Sequence, residues 1–133
     1  MTARFLAAAV FLIFGAEATF ADESQIRPPE EGYVLHCSGC HGLSGDGVPG
    51  TTPTLHDIAR LANTPAGRAY LASVPGVAQA PIGDDELAVL LNWVLKTFSS
   101  ATPITPYSAI EIGKFRREPL RSTSAARAAL ATP

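Results

Sequence analysis

Read as a pattern of apolar and polar positions, the chain is organised by one strong stripe and several weak ones. In "GDDELAVLLNWVLKTFSS" (83–100), Leu87, Leu90, Leu91, Val94, Leu95 and Phe98 recur at helical spacing on one face. Asp84 is placed to cap this helix, Asp85 and Glu86 suit its first turn, and Lys96 suits its C-terminal end. "RPPEEGYVLHC" (27–37) predicts a short helix over 29–36, with prolines at its start, acidic residues next, and Tyr33 and Cys37 on one face. The stretch 56–74 carries one or two short helices. Asn63-Thr64-Pro65 breaks the first, and Thr64 caps the second with Pro65 at its first position. Leu61, Tyr70, Leu71 and Val74 are core candidates there. "PGVAQAP" (75–81) reads as irregular. Beyond an extended "ATPITP", Ser108 and Glu111 stand at capping-box spacing for a further short helix, and "STSAARAALATP" predicts a last weak one. No internal repeat or strand pattern appears.

Between the first two helical stretches lies "HGLSGDGVPGTTPTL" (41–55), whose Gly, Ser, Thr and Pro content makes it a loop. Its Gly45-x-Gly47-x-x-Gly50 matches a dinucleotide fingerprint only by letters: no strand precedes it and Pro49 interrupts it.

The N-terminus follows a different pattern. Arg4 precedes the apolar run "FLAAAVFLIFGA" (5–16), and small residues follow in "AEATFA". This reads as a secretory signal peptide over 1–21, cleaved after Ala21, with Ala18 as the alternative point. The run falls short of the roughly 20 residues that span a bilayer, so a retained anchor is the weaker reading. The expected division is therefore signal peptide 1–21, main domain 22–100 and C-terminal extension 101–133, in a periplasmic protein with no stable membrane span.

Length and charge narrow the options. The 133 residues suffice for one small domain, and a net charge of −2 with 47% apolar residues excludes a disordered acidic chain and a basic nucleic-acid binder. The charge is uneven. Residues 22–100 hold four Lys/Arg against nine Asp/Glu, whereas Lys114, Arg116, Arg117, Arg121 and Arg127 outnumber Glu111 and Glu118 in the extension. The expectation is an extension packed on the domain rather than a docking tail.

The chemistry concentrates in "CSGCH" (37–41), which holds both cysteines. Two thiols on one helical turn can form thioethers with the two vinyl groups of haem, and the adjacent imidazole can then ligate the iron. Cys37 and Cys40 become attachment residues and His41 the proximal ligand of a single haem c. The alternatives are weaker. Structural zinc needs about four ligands and this chain has one pair; a thioredoxin-like dithiol needs alternating strands and helices; a plain disulfide gives the adjacent histidine no purpose.

Over about residues 29–99 the chain resembles class I c-type cytochromes of the bacterial periplasm. The resemblance rests on CSGCH, on Tyr33 four residues before the first cysteine, on "CHGLSGDGVPG", on Pro53-x-Leu55, and on "IGDDELAVLLNWVL" with Trp93 as its aromatic near the first helix. It implies a small all-α domain wrapped round one covalently bound haem, with the Pro53 carbonyl accepting a hydrogen bond from His41. It implies a non-enzymatic carrier of single electrons between periplasmic partners, such as a dehydrogenase or an oxidase-side acceptor, docking at the haem edge near Cys37 and Cys40. Two features depart from the family. Its usual helix-crossing glycine is replaced by Pro29, which implies a shorter first helix or a shifted crossing. Its usual distal methionine is missing, because the only Met is Met1 and the matching position reads Val74-Pro75.

The sixth ligand is therefore open. One outcome is a five-coordinate iron in a pocket of Val74, Val77 and Ile82, and another is a weak oxygen ligand, with Gln79 the best-placed donor. His56, His36 and Lys96 are further nitrogen donors, each better read as loop, helix or surface residues. An open distal face supports a second reading, a haem-based module that binds or senses small ligands. A peroxidase reading is weaker, with Arg68 its one candidate for a distal group.

Overall fold

A computed structural model describes residues 26–99, 103–118 and 120–130; the expected signal peptide lies outside them. Helix α1 (Pro29–His36) starts at the two prolines and carries Glu30 and Glu31 in its first turn, where negative charge meets the exposed N–H groups. At Cys37 the backbone leaves helical geometry (φ −124°), and the chain bends into the single turn of α2 (Ser38–His41). After the loop come a 3-10 helix (Ile58–Asn63), α3 (Pro65–Ser73), α4 (Pro75–Ala78) and the long α5 (Asp84–Phe98). The extension adds α6 (Ala109–Arg116) and α7 (Thr123–Leu130). Among the described residues there is no strand, and the only bridge joins Val48 to Thr52. The fold is small and all-α.

Thr64 caps α3 as its position predicts, its hydroxyl accepting the Gly67 N–H at 3.0 Å. Ser108 does the same for Glu111 at the start of α6 (3.2 Å). Two expectations fail. Residues 75–78 form a helical turn instead of irregular chain, because Val74 is extended and Pro75 supplies the fixed φ of a first helical residue. Asp84 does not cap α5: Gly83 is the capping residue, and Asp84 is the first residue of the helix, with its carboxylate on Arg116 (2.8 Å).

The stripe on α5 serves two apolar clusters. Leu87, Leu91 and Leu95 pack with Ala59, Ala62, Tyr70, Leu71, Tyr107 and Ile112. Leu90 and Val94 pack with Tyr33 and Leu55, flanked by Trp93 and Phe98. In this second cluster the Tyr33 ring lies 5.6 Å from Trp93 and 5.1 Å from Phe98, within the range of favourable aromatic contact. The Trp93 indole N–H donates to Glu30 at 3.0 Å, which ties α5 to α1. The two helices meet at Gly32, not at Pro29. Gly32 is buried, and a Cβ there would stand 3.5 Å from the Leu90 side chain, an ordinary contact. This crossing is loose enough that its glycine is not sterically obligatory.

Residues 103–118 are joined to the rest by directional bonds. Asn92 donates to the Tyr107 carbonyl (3.0 Å) and accepts its N–H (2.8 Å). Arg68 pairs with both carboxylate oxygens of Glu111 (2.8 and 2.7 Å), donates to the Thr105 carbonyl (2.6 Å) and lies over the Tyr107 ring. Arg116 donates to three carbonyls of the 74–82 segment, those of Ala78 (2.9 Å), Ala80 (2.7 Å) and Ile82 (2.9 Å).

Candidate functional site

A cavity of about 500 Å³ opens where the two apolar clusters face each other. On one side it is walled by Cys37, Cys40, His41 and residues 51–55. At its back stand Leu87, Leu90, Leu91, Val94 and Leu95, and opposite are Tyr70, Leu71, Val74, Val77 and Ala80, from the first of the two clusters. Its size is that of a site for a sizeable organic group, and its walls are mostly apolar.

The CSGCH turn reaches this wall because of the bend at Cys37. The N–H groups of Cys40 and His41 both return to the Cys37 carbonyl (3.2 and 3.0 Å), which holds the two thiols and the imidazole on one tight turn. The Tyr33 hydroxyl donates to the Gly42 carbonyl at 2.6 Å, anchoring the end of that turn to α1. His41 then meets the returning loop: its Nδ1 lies 3.0 Å from the Pro53 carbonyl oxygen. With Nδ1–H as donor, Nε2 is the ring nitrogen left free to bind a metal. Burial lowers the imidazole pKa from its ordinary value, partly opposed by the Pro53 bond, which favours the neutral form that a ligand requires.

Glycines build this approach. The Gly47 N–H donates to the His41 carbonyl (2.9 Å), and Gly47 itself has φ +71°. A Cβ on it would overlap the Thr52 oxygen and fall 2.6 Å from the Pro53 oxygen, the atom that receives His41. The run that mimics a nucleotide motif is thus a folded-back loop that delivers the Pro53 carbonyl.

The thiols are free, Cys37 half-buried and Cys40 exposed. Burial, and then the nearby Cys40, push the Cys37 thiol up to about 11. A redox dithiol works through a thiolate of lowered pKa, so this environment disfavours that alternative. Among the described residues no three His, Cys, Asp or Glu side chains come together as a metal cage, which disfavours a zinc site built on the same pair.

A haem fits this arrangement. Both thiols and the oriented imidazole share one wall of an apolar cavity, and His36 adds a buried Nε2 with no hydrogen-bond partner, also on that wall.

Opposite His41, the candidates separate. Val74 and Val77 line the cavity, but Ile82 does not; it packs against both apolar clusters. Gln79 is exposed and outside the cavity, so it is not the oxygen donor expected there. Lys96 is exposed on α5. His56 pairs with Asp46 (2.8 Å) on the proximal-side loop, half-exposed. Arg68 is engaged by Glu111 and backbone carbonyls and does not reach the cavity, which removes the one residue offered for peroxidase chemistry. Sequence reasoning missed Thr123, Ser124 and Arg127, which line the cavity from α7. Their only signal is a polar face in an alanine-rich helix, which does not say where that helix lies.

The chain is similar to cytochrome c-552. One cytochrome c-552 of Thermus thermophilus is 29% identical over 134 aligned positions, covering 84% of this chain and 86% of that protein. A second Thermus thermophilus cytochrome c-552 is 29% identical over 106 positions, covering 63% of this chain and 81% of its own length. No family model matches. Among the described residues, no helix is long and apolar enough to cross a membrane.

Proposed function

We propose that the protein is an exported c-type cytochrome, with one haem attached through Cys37 and Cys40 and ligated by His41, that carries single electrons between periplasmic redox proteins. The observation that carries this reading is the convergence of both thiols and the Pro53-bonded imidazole on one wall of an apolar cavity. The bound haem would supply a reversible one-electron centre. The chain's own residues attach it, orient its ligand through Pro53 and exclude water with the leucines of α5. Docking is assigned to the edge near Cys37 and Cys40, flanked in sequence by the exposed Leu35 (62%) and Leu43 (75%), which offer apolar contact to a dehydrogenase or an oxidase-side acceptor.

One observation favours a second reading, a module that binds small ligands at the iron: among the described residues no His, Met or Lys lines the cavity beside Val74, Val77 and Ala80, where Tyr70 brings only a hydroxyl. The test is the visible spectrum of the reduced protein, produced with haem-attachment machinery, with and without carbon monoxide. A low-spin spectrum indifferent to carbon monoxide supports the carrier. A spectrum that shifts supports the ligand-binding module. No covalent haem overturns both.

A further inference from the structure

The extension also contributes to the cavity itself. Helix α7 lies along α3, with Ala126 and Leu130 packed on the main apolar cluster. Thr123, Ser124 and Arg127, one helical turn apart, line the cavity instead. Among the described residues no Asp, Glu or Lys lines that cavity, so Arg127 is the one permanently charged side chain found on its wall. Among the described residues, too, no carboxylate lies within ion-pair distance of it. Arg127 is half-buried and Thr123 and Ser124 are exposed; a cation partly shielded from water without a counter-ion is unfavourable, and an anion beside it relieves that cost.

We propose that Arg127, helped by the Thr123 and Ser124 hydroxyls, is an anion receptor that the C-terminal extension places on the haem cavity. The inference rests on the haem reading above. Its chemistry is a small delocalised anion facing the planar fork of a guanidinium. Two sources can supply that anion. One is the haem's own carboxylates. The other is a small inorganic anion entering beside Val74 and Val77, whose side chains carry no donor atom.

The experiment uses the full chain with haem attached, as wild type, Arg127→Gln, Arg127→Lys and, as a surface control, Arg121→Gln. Reduction potential is followed across the neutral pH range. The ferric protein is titrated with azide and, separately, with neutral imidazole. If the anion is a haem carboxylate, Arg127→Gln lowers the potential and makes it vary with pH, because an unpaired carboxylate titrates closer to neutrality. If it is exogenous, Arg127→Gln weakens azide about tenfold and leaves imidazole unchanged. In either case Arg127→Lys, which keeps the charge but not the fork, falls between wild type and Arg127→Gln, which a purely packing role would not produce. Arg127→Gln behaving like Arg121→Gln in both measurements overturns the inference alone. Failure of the wild type to attach haem overturns it together with the haem reading.

Discussion

Gly47 is the residue on which the geometry of the proximal side turns. Its positive φ costs an alanine about 1–2 kcal/mol, and the Cβ would in addition press on the Thr52 and Pro53 oxygens. Gly47→Ala is therefore expected to lower the melting temperature by several degrees and to weaken the His41–Pro53 bond. Thermal unfolding reads the first effect, and the proton-exchange rate of the His41 ring N–H reads the second. Glu111 is a second decisive residue. Its bonds to Arg68 hold its carboxyl below the ordinary value of 4.5, with burial opposing them. The folded protein thus binds the carboxylate form better than the unfolded chain does. The resulting stability is complete above about pH 4.5 and is lost as the pH falls through the lowered value. Glu111→Gln should cost about 1–2 kcal/mol near neutrality, and denaturant melts of the two proteins should converge in acid. Equal differences at both pH values would contradict this account.

At the scale of elements, α6 is bound into the core. Ile112 is fully buried in the main cluster, and Ile112→Ala should destabilise the protein by about 2–5 kcal/mol in a denaturant melt. Arg116→Ala should leave the Ala78, Ala80 and Ile82 carbonyls without their side-chain donor. Amide exchange within 74–82 is then expected to quicken while that of α5 changes little. How far these elements can be read in advance follows from their physics. The span of α5 is legible because its stripe is long and its ends are marked by charge. The cap of α3 is legible because Thr64-Pro65 is a local signal. Residues 75–78 are not, since one turn leaves no periodicity to detect. Asp84 reads as a cap because its true partner, Arg116, lies 32 residues away in sequence, and no local pattern reports such a bond.

For the whole molecule, the same division between local and distant information runs through the candidate site. CSGCH and Pro53 stand close together in the chain, and both are legible from motif and resemblance. The opposite wall draws on α3, α4 and α7, whose meeting depends on tertiary packing; for that reason the sequence wrongly suggests Gln79, Ile82 and Arg68 for it and gives no sign of Arg127. A haem held here without a thioether ligand is expected to show a reduction potential below that of its methionine-ligated counterparts, measurable by spectroelectrochemistry. A potential as high as theirs would contradict this expectation.

The grip of Arg116 on three carbonyls carries a consequence for how the protein is made. A chain is synthesised from its N-terminus, so its first half exists before its last helices do. The CSGCH turn and the loop that orients His41 lie in the first half of the sequence, whereas the arginine that fixes the opposite wall comes close to the end. Until the end of the chain has emerged, the two thiols face a pocket that lacks its α7 lining and the Arg116 bonds to Ala78, Ala80 and Ile82. Whatever is joined to those thiols can be loaded first and enclosed afterwards, so the order of residues along the chain also serves as an order of assembly.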